Sequence, residues 1–251
     1  MVVSNDVALR RFLDRLLRRS QLSPDEQAAI VNLSSHAFRT KTGDEIVSPG
    51  KKVEHACLVV DGLVGRIDQI ANGRRQITAL HIPGDMCDLH SIVCPVPVWR
   101  LEALTTTTIL RIPHHDLREA ALTYPAIALA FWRDTTADAS IVAKWIGNLG
   151  IREAHSRLAH LLCEMGIRLE QAGLNARTEF SLSMTQSQLG DALGLTSVHV
   201  NRMLKQLRDE GLIRTDRSAI HVADWDGLAA AAEFDLAFLL MEPQVSKRPP
   251  D

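Results

Sequence analysis

Apolar residues recur every three or four positions through residues 7 to 33, first in LRRFLDRLL and again, after Ser23-Pro24, in DEQAAIVNL. That period is helical, and Ser23 followed by Pro24 has the form of an N-cap and first helical residue. From His36 to Pro113 the rhythm changes. Short apolar runs, ACLVV, LVGRI, QITALHI and TTTTILRI, are separated by glycine, proline or asparagine about every 8 to 12 residues, the texture of an all-β domain. GRIDQI and RRQITALHI flank Ala71-Asn72-Gly73, and Asn-Gly predicts a hairpin with a type I′ turn because both residues tolerate positive φ. Gly43, Gly50, Gly62 and Gly84 fall at further corners, as a β-roll or jelly roll requires at its bends.

A short helix is expected near His114 to Leu122. Pro125 then opens AIALAFWRDTTADASIVAKWIGNLG, free of internal proline as far as Gly150. Ile127, Phe131, Ile141, Trp145 and Asn148 follow the 3–4 spacing of a coiled-coil seam, with Asp134 and Asp138 as polar interruptions. The stripe predicts a dimerisation helix over 126–150; packing of that face on the chain's own sheet is the alternative. Further helix (IREAHSRLAHLLCEMGIRLEQAG), a short strand (TEFSLS), two more helices and a small hairpin follow. The expected class is α+β: N-terminal helices and β-roll over 1–125, the long helix, a second domain over 151–223, and a C-terminal helix and tail over 224–251. There, DWDGLAAAAEFDLAFL reads as one helix and EPQVSKRPPD as a disordered tail.

Composition narrows the function classes. With 46% hydrophobic and 23% charged residues in 251, the chain can bury a core. Its 28 basic and 30 acidic residues nearly cancel, so affinity for nucleic acid must come from a local patch. The longest uncharged stretch, Ala120 to Trp132, is 13 residues, short of the roughly 18–20 needed for a span. No membrane partner is expected, and without a secretory h-region the expected location is cytoplasmic. The four cysteines, Cys57, Cys87, Cys94 and Cys163, read as free buried thiols. No Ser-His-Asp, phosphate-loop or His-x-His pattern stands out, so no enzyme is expected. Cys87, His90 and Cys94 form C-x2-H-x3-C, ligand types able to hold a metal or sense oxidation, but the reading adopted is no metal site. His155 and His160, five apart on a helix, do not share one face.

Residues 185 to 213, TQSQLGDALGLTSVHVNRMLKQLRDEGLI, carry the most information. Thr185 with Gln188 forms a capping box, Gly194 supplies a left-handed helix end, and Thr196 caps a second helix. Val200, Met203, Leu204 and Leu207 share one face of that second helix, which packs on Leu189 and Leu193. On the other face Ser197, Asn201, Lys205 and Arg208 follow i, i+4, i+8, i+11, with Val198 and Arg202 alongside. Such a cationic stripe suits the major groove of double-stranded DNA, where the arginine fork matches guanine O6 and N7. Arg202 is the base-reading candidate, with Asn201 and Ser197 at base edges or phosphates and Thr185 and Gln186 on the backbone. LIRTDRSAIHV then forms a small wing, offering Arg214 and Arg217 to phosphates. The order is that of a winged helix-turn-helix.

With its rolled β-domain, its long helix ending in WIGNLG and the LTQSQLGDALGLTSVHVNRMLKQLRDEGLI segment, the chain resembles the Crp/Fnr family of bacterial transcription regulators from about residue 20 to 223. The resemblance implies a cyclic-nucleotide-binding-like β-roll that senses a signal, a homodimer built on the long helices, a pseudo-palindromic operator and contact with RNA polymerase. Members that bind cyclic AMP carry Gly-Glu and, some ten residues on, Arg-Ser or Arg-Thr. The matching stretch here is GDMCDLHSIVCPVPVWRLEALT, which makes Gly84, Asp85 and Arg100 the effector candidates. Asp85 replaces the glutamate, Leu101 follows Arg100, and the adenine-holding hydroxyl positions fall at Val142 and Ala143, so cyclic AMP is not expected. The iron-sulfur branch has an N-terminal cysteine cluster, whereas residues 1–56 contain no cysteine, so no cluster is expected and the effector stays unnamed. Where the oxygen-responsive branch presents Glu and then Ser-Arg, this chain has Val198, Asn201 and Arg202, which implies a different half-site. The second function class weighed is a small-ligand or cyclic-nucleotide signalling module acting through protein contacts.

Overall fold

The computed structural model describes residues 5–241. Two helices lead, α1 (Asn5–Leu17) and α2 (Pro24–Val31). The Ser23 hydroxyl accepts from the Glu26 amide while the Glu26 carboxylate accepts from the Ser23 amide, a closed capping box that fixes where α2 starts. Seven strands follow: β1 (His36–Thr40), β2 (Glu45–Val47), β3 (His55–Asp61), β4 (Val64–Gln69), β5 (Arg75–His81), β6 (Arg100–Ala103) and β7 (Thr107–Pro113). They form two antiparallel sheets, ordered β1-β7-β3 and β2-β6-β4-β5. Alternating residues of both, among them Val59, Val64, Leu101 and Ile109, fill the interior of the roll.

The β4–β5 hairpin forms where Asn72-Gly73 puts it, but not with a two-residue I′ turn. The Gly73 amide donates to Ile70 O and the Ile70 amide to Arg74 O, each at 3.0 Å, which makes a three-residue loop with Gly73 alone at positive φ (84°). Asn72 instead uses its side-chain oxygen to accept from the Arg74 amide.

After α3 (His114–Thr123), α4 runs from Pro125 to Ile151. Pro125 sits in its first turn, where a missing N–H costs nothing. The residues expected at a dimer seam, Ile127, Phe131, Ile141, Trp145 and Asn148, are buried inside the protomer. Ile127 and Phe131 pack with Leu9 and Phe12 of α1, and Ile141 and Trp145 join the core beneath the second domain. The expectation is corrected: α4 spends its bulkiest apolar face on the chain's own core, the alternative weighed for that stripe.

The second domain comprises α5 (Ala154–Gln171), β8 (Glu179–Ser181), α6 (Gln186–Leu193), α7 (Ser197–Asp209), β9 (Ile213–Asp216), β10 (Ala219–Val222) and α8 (Trp225–Ala232), with sheet order β8-β10-β9. The run expected as one C-terminal helix breaks at Glu233, whose φ of 43° ends α8; Asp235 then caps a 3-10 turn at Leu236–Leu239. The stretch expected to be a disordered tail, 242–251, lies outside the described residues. A single apolar core runs from Ile67, Ile77 and Leu80 of the roll through Leu162 of α5 to Val200 of α7. The two halves are therefore packed together, not strung on a linker.

Candidate nucleic-acid interface

Three local devices build the helix-turn-helix. Thr185 and Gln188 complete the capping box at α6, Gly194 ends that helix at φ 65°, and the Thr196 hydroxyl accepts from the His199 amide to start α7. Gly190 lets the helices close up, because a Cβ there would lie 2.5 Å from the Leu195 carbonyl oxygen. Val200, Met203 and Leu207 are buried and Leu204 is half-buried, so the inward face of α7 is as the spacing predicts. Ser197, Val198, Asn201, Arg202, Lys205 and Arg208 are all exposed, Val198 at 82%.

Around this face the remaining candidates are also solvent-facing: Thr185 and Gln186 at the start of α6, and Arg214 and Arg217 on the β9–β10 wing. Arg217 occupies the wing's tip at φ 51°. Three interactions are new. Arg202 Nη2 donates to His199 Nε2 at 2.8 Å, Arg208 Nη1 donates to the Thr215 hydroxyl at 3.2 Å, and Lys205 lies 3.4 Å from Asp209. The opposite side of α6 is docked on the roll: Gln188 Nε2 donates to Leu104 O (2.9 Å), Gln76 Nε2 donates to Ala192 O (3.1 Å), and Arg75 pairs with Asp191 (3.1 Å). Docking uses the back of the domain and leaves the cationic face uncovered.

A second surface emerges on α4. Opposite its buried face, Leu129, Trp132, Thr136, Ala139, Ala143, Ile146 and Gly150 are exposed at strict 3–4 spacing. Trp132 is 70% and Ile146 66% exposed. Sequence reasoning missed this stripe because its residues are mostly small; the signal was the uninterrupted heptad register one or two positions beyond each residue of the buried stripe.

Residues 38–124 match the family model for the cyclic nucleotide-binding domain, and residues 156–231 match that for the Crp-like helix-turn-helix domain. The chain belongs to the Crp/Fnr family. Curated relatives include the transcriptional activator protein Anr of Pseudomonas protegens, 24% identical over 84% of this chain and 86% of that one. The regulatory protein HlyX of Actinobacillus pleuropneumoniae is 27% identical over 82% and 86%. Among solved structures, FixK2 from Bradyrhizobium japonicum is 28% identical and superposes with a TM-score of 0.73 over 79% of this chain and 98% of its own.

The turn at Gly84-Asp85, the expected effector site, is occupied by partners from the chain itself. Gly84 takes φ 98° and its Cα abuts Arg11 of α1, where a Cβ would meet the Arg11 Cβ at 3.1 Å. Asp85 is buried with both oxygens engaged: Oδ1 accepts from Arg15 Nη1 (2.6 Å), and Oδ2 accepts from the Ile82 amide (2.9 Å) and Arg168 Nη2 (2.7 Å). Burial pushes the Asp85 carboxyl up, but Arg15 and Arg168 outweigh it and hold it at about 2. Arg100 points elsewhere, pairing with Glu45 at 2.5 Å and donating to Gln69. The space inside the roll is further taken by Arg66, which stacks on Trp99 at 4.6 Å and donates to Cys87 O. These residues do not fit a cyclic nucleotide at Gly84-Asp85.

The other titratable candidates are accounted for separately. Cys87 is buried, Cys94 is exposed and His90 packs on Trp99 at 5.0 Å, so the C-x2-H-x3-C residues do not converge. His155 pairs with Glu210, while His160 lies between Phe234 and Phe238. Burial, with help from Lys144 and Arg152, drives His160 down to about 4. Arg15 and Arg168 were missed. Their signal is a charged residue inside an apolar helical stripe, beside Phe12 and Leu16 in one case and Met165 and Leu169 in the other.

Proposed function

We propose that the chain is a homodimeric regulator that reads a two-fold DNA operator through α7 and signals to RNA polymerase. The observation that carries this reading is the uncovered face of α7. Six polar, cationic or small side chains are exposed on a helix whose other side packs inward, in a domain clamped from behind by the roll. Arg202 reads a base edge, with Val198 and Asn201 beside it, while Lys205, Arg208, Arg214 and Arg217 hold phosphates. The exposed stripe from Leu129 to Gly150 supports pairing of two α4 helices, which gives the operator its symmetry. Relatives named as transcriptional activators support an activating output through polymerase.

Selection from random duplexes tests the reading. The expected product is an inverted repeat whose half-sites lie about one helical turn, 34–36 Å, apart. Recovery of no enriched motif by purified protein, with or without cell extract, would overturn it.

A further inference from the structure

Arg15 lies on the apolar side of α1, yet it is a cation under the fold's surface with every guanidinium nitrogen committed. Nη1 meets Asp85 at 2.6 Å, Nε meets Asp134 at 2.7 Å, and Nη2 meets Asp138 at 2.7 Å. Asp134 and Asp138 sit one turn apart on α4, so Arg15 joins three elements: the N-terminal helix, the effector turn and the long helix. The connection continues through Asp85. Its second oxygen takes Arg168 of α5, whose Nη2 also donates to Leu80 O at 2.8 Å and whose Nη1 pairs with Glu164 at 2.9 Å. Glu164 in turn accepts from Trp145 Nε1 on α4 at 2.7 Å. One unbroken path of charge-assisted hydrogen bonds thus runs from α1 to the helix that carries the DNA-binding domain.

Buried pairs of this kind are weak sources of net stability but strict about geometry, because losing one partner leaves the other charged and dry. Both oxygens of buried Asp85 are already engaged, Oδ1 by Arg15 and Oδ2 by Arg168 and the Ile82 amide, so three groups of the chain itself occupy the carboxylate a diffusible ligand would need. The element that in a ligand-gated sensor would answer to a small molecule answers here to a side chain of the same chain.

We propose that Arg15 is a positioning residue for operator binding: it stands where a ligand would engage Asp85 and, through Asp85 and Arg168, sets the DNA-binding domain against the roll. The inference rests on the operator-binding reading above. It explains why α6 is held on the roll by its back, with α7 facing out.

Removing Arg15 outright takes a partner from three buried or half-buried acidic groups and can unfold the chain, so the test uses Arg15→Lys, which keeps the charge but cannot fork to three carboxylates. Arg168→Lys and the double variant accompany it. Each single variant lowers affinity for the selected operator about tenfold, while affinity for random duplex at the same salt is unchanged. The double variant is no weaker than the worse single one, because both act through Asp85. Without DNA, amide hydrogen exchange in β5 and α6, which face each other across the domain junction, quickens in all three. Arg15→Lys that lowers only the melting temperature, with operator affinity and β5–α6 exchange as in the wild type, overturns the proposal. So does a melting temperature that cyclic AMP or cyclic GMP raises in the wild type. If the wild type selects no operator, the DNA-binding reading fails, and the exchange measurement still decides the role of Arg15.

Discussion

Arg202 and His199, one turn apart on α7, share a 2.8 Å hydrogen bond in which the guanidinium donates to the imidazole. An arginine can only donate, so His199 accepts through Nε2 and restrains the fork before DNA arrives. Arg202→Ala is expected to cost about 1–3 kcal/mol on the operator and relax preference at one base pair. Lys205→Ala weakens operator and random duplex alike and flattens the salt dependence. His199→Gln, which keeps an acceptor, retains the preference that His199→Ala partly loses. Anisotropy titrations on operator and single-base variants at two salt concentrations check all four; equal losses on specific and random DNA for Arg202→Ala would contradict the assignment.

The two faces of α4 make separable predictions. Trp132→Asp or Ile146→Asp puts a carboxylate on the exposed stripe and is expected to give a folded monomer by light scattering. Trp145→Phe acts on the opposite face. It removes the donor to buried Glu164, so it lowers unfolding stability by about 1–3 kcal/mol while the oligomeric state is unchanged. A monomer from Trp145→Phe, or a dimer from both aspartate variants, reverses the assignment of the faces.

That reversal marks where the sequence is legible and where it is not. Caps, turns and the cationic stripe are local devices, and Ser23, Thr185, Gly194 and Thr196 all act where the chain places them. Which face of a two-faced helix meets a partner is not local, because Ile141 and Trp145 look alike to a partner's α4 and to the chain's own α5. The network around Asp85 was equally hidden. Arg15, Asp85, Asp134 and Arg168 are scattered over more than half the chain, and only tertiary packing reveals that they meet.

Gly190 offers a test of the tight turn. Alanine is the better helix former by about 1 kcal/mol, so Gly190→Ala would stabilise an isolated α6. In the fold, its methyl carbon would lie 2.5 Å from the Leu195 carbonyl oxygen, which is backbone and cannot swing aside. The clash dominates. Urea unfolding is expected to show a net loss of about 1–3 kcal/mol, and an unchanged or raised midpoint would mean that the α6–α7 approach is looser than described.

The Arg15 cluster also makes stability depend on pH in two opposite ways. Burial pushes the Asp138 carboxyl up from 3.8 to about 6, against the pull of Arg15 and with repulsion from Asp134 added. Between those values the folded chain keeps a proton that the unfolded chain has released, so this group's contribution falls as pH rises through the window and remains a cost above it. Asp138→Asn, which still offers Arg15 an oxygen, is expected to stabilise the protein at pH 7.5 by up to about 3 kcal/mol and to remove the decline between pH 4 and 6. Asp85 behaves oppositely. Held at about 2, it contributes stability above its ordinary 3.8 that is lost as pH falls toward 2. Asp85→Asn therefore destabilises at pH 7.5, and its deficit shrinks as the solution is acidified. Urea midpoints of the three proteins from pH 3 to 8 measure both slopes. A wild-type curve that rises steadily from pH 4 to 8 and is unaltered by Asp138→Asn would place the buried proton elsewhere.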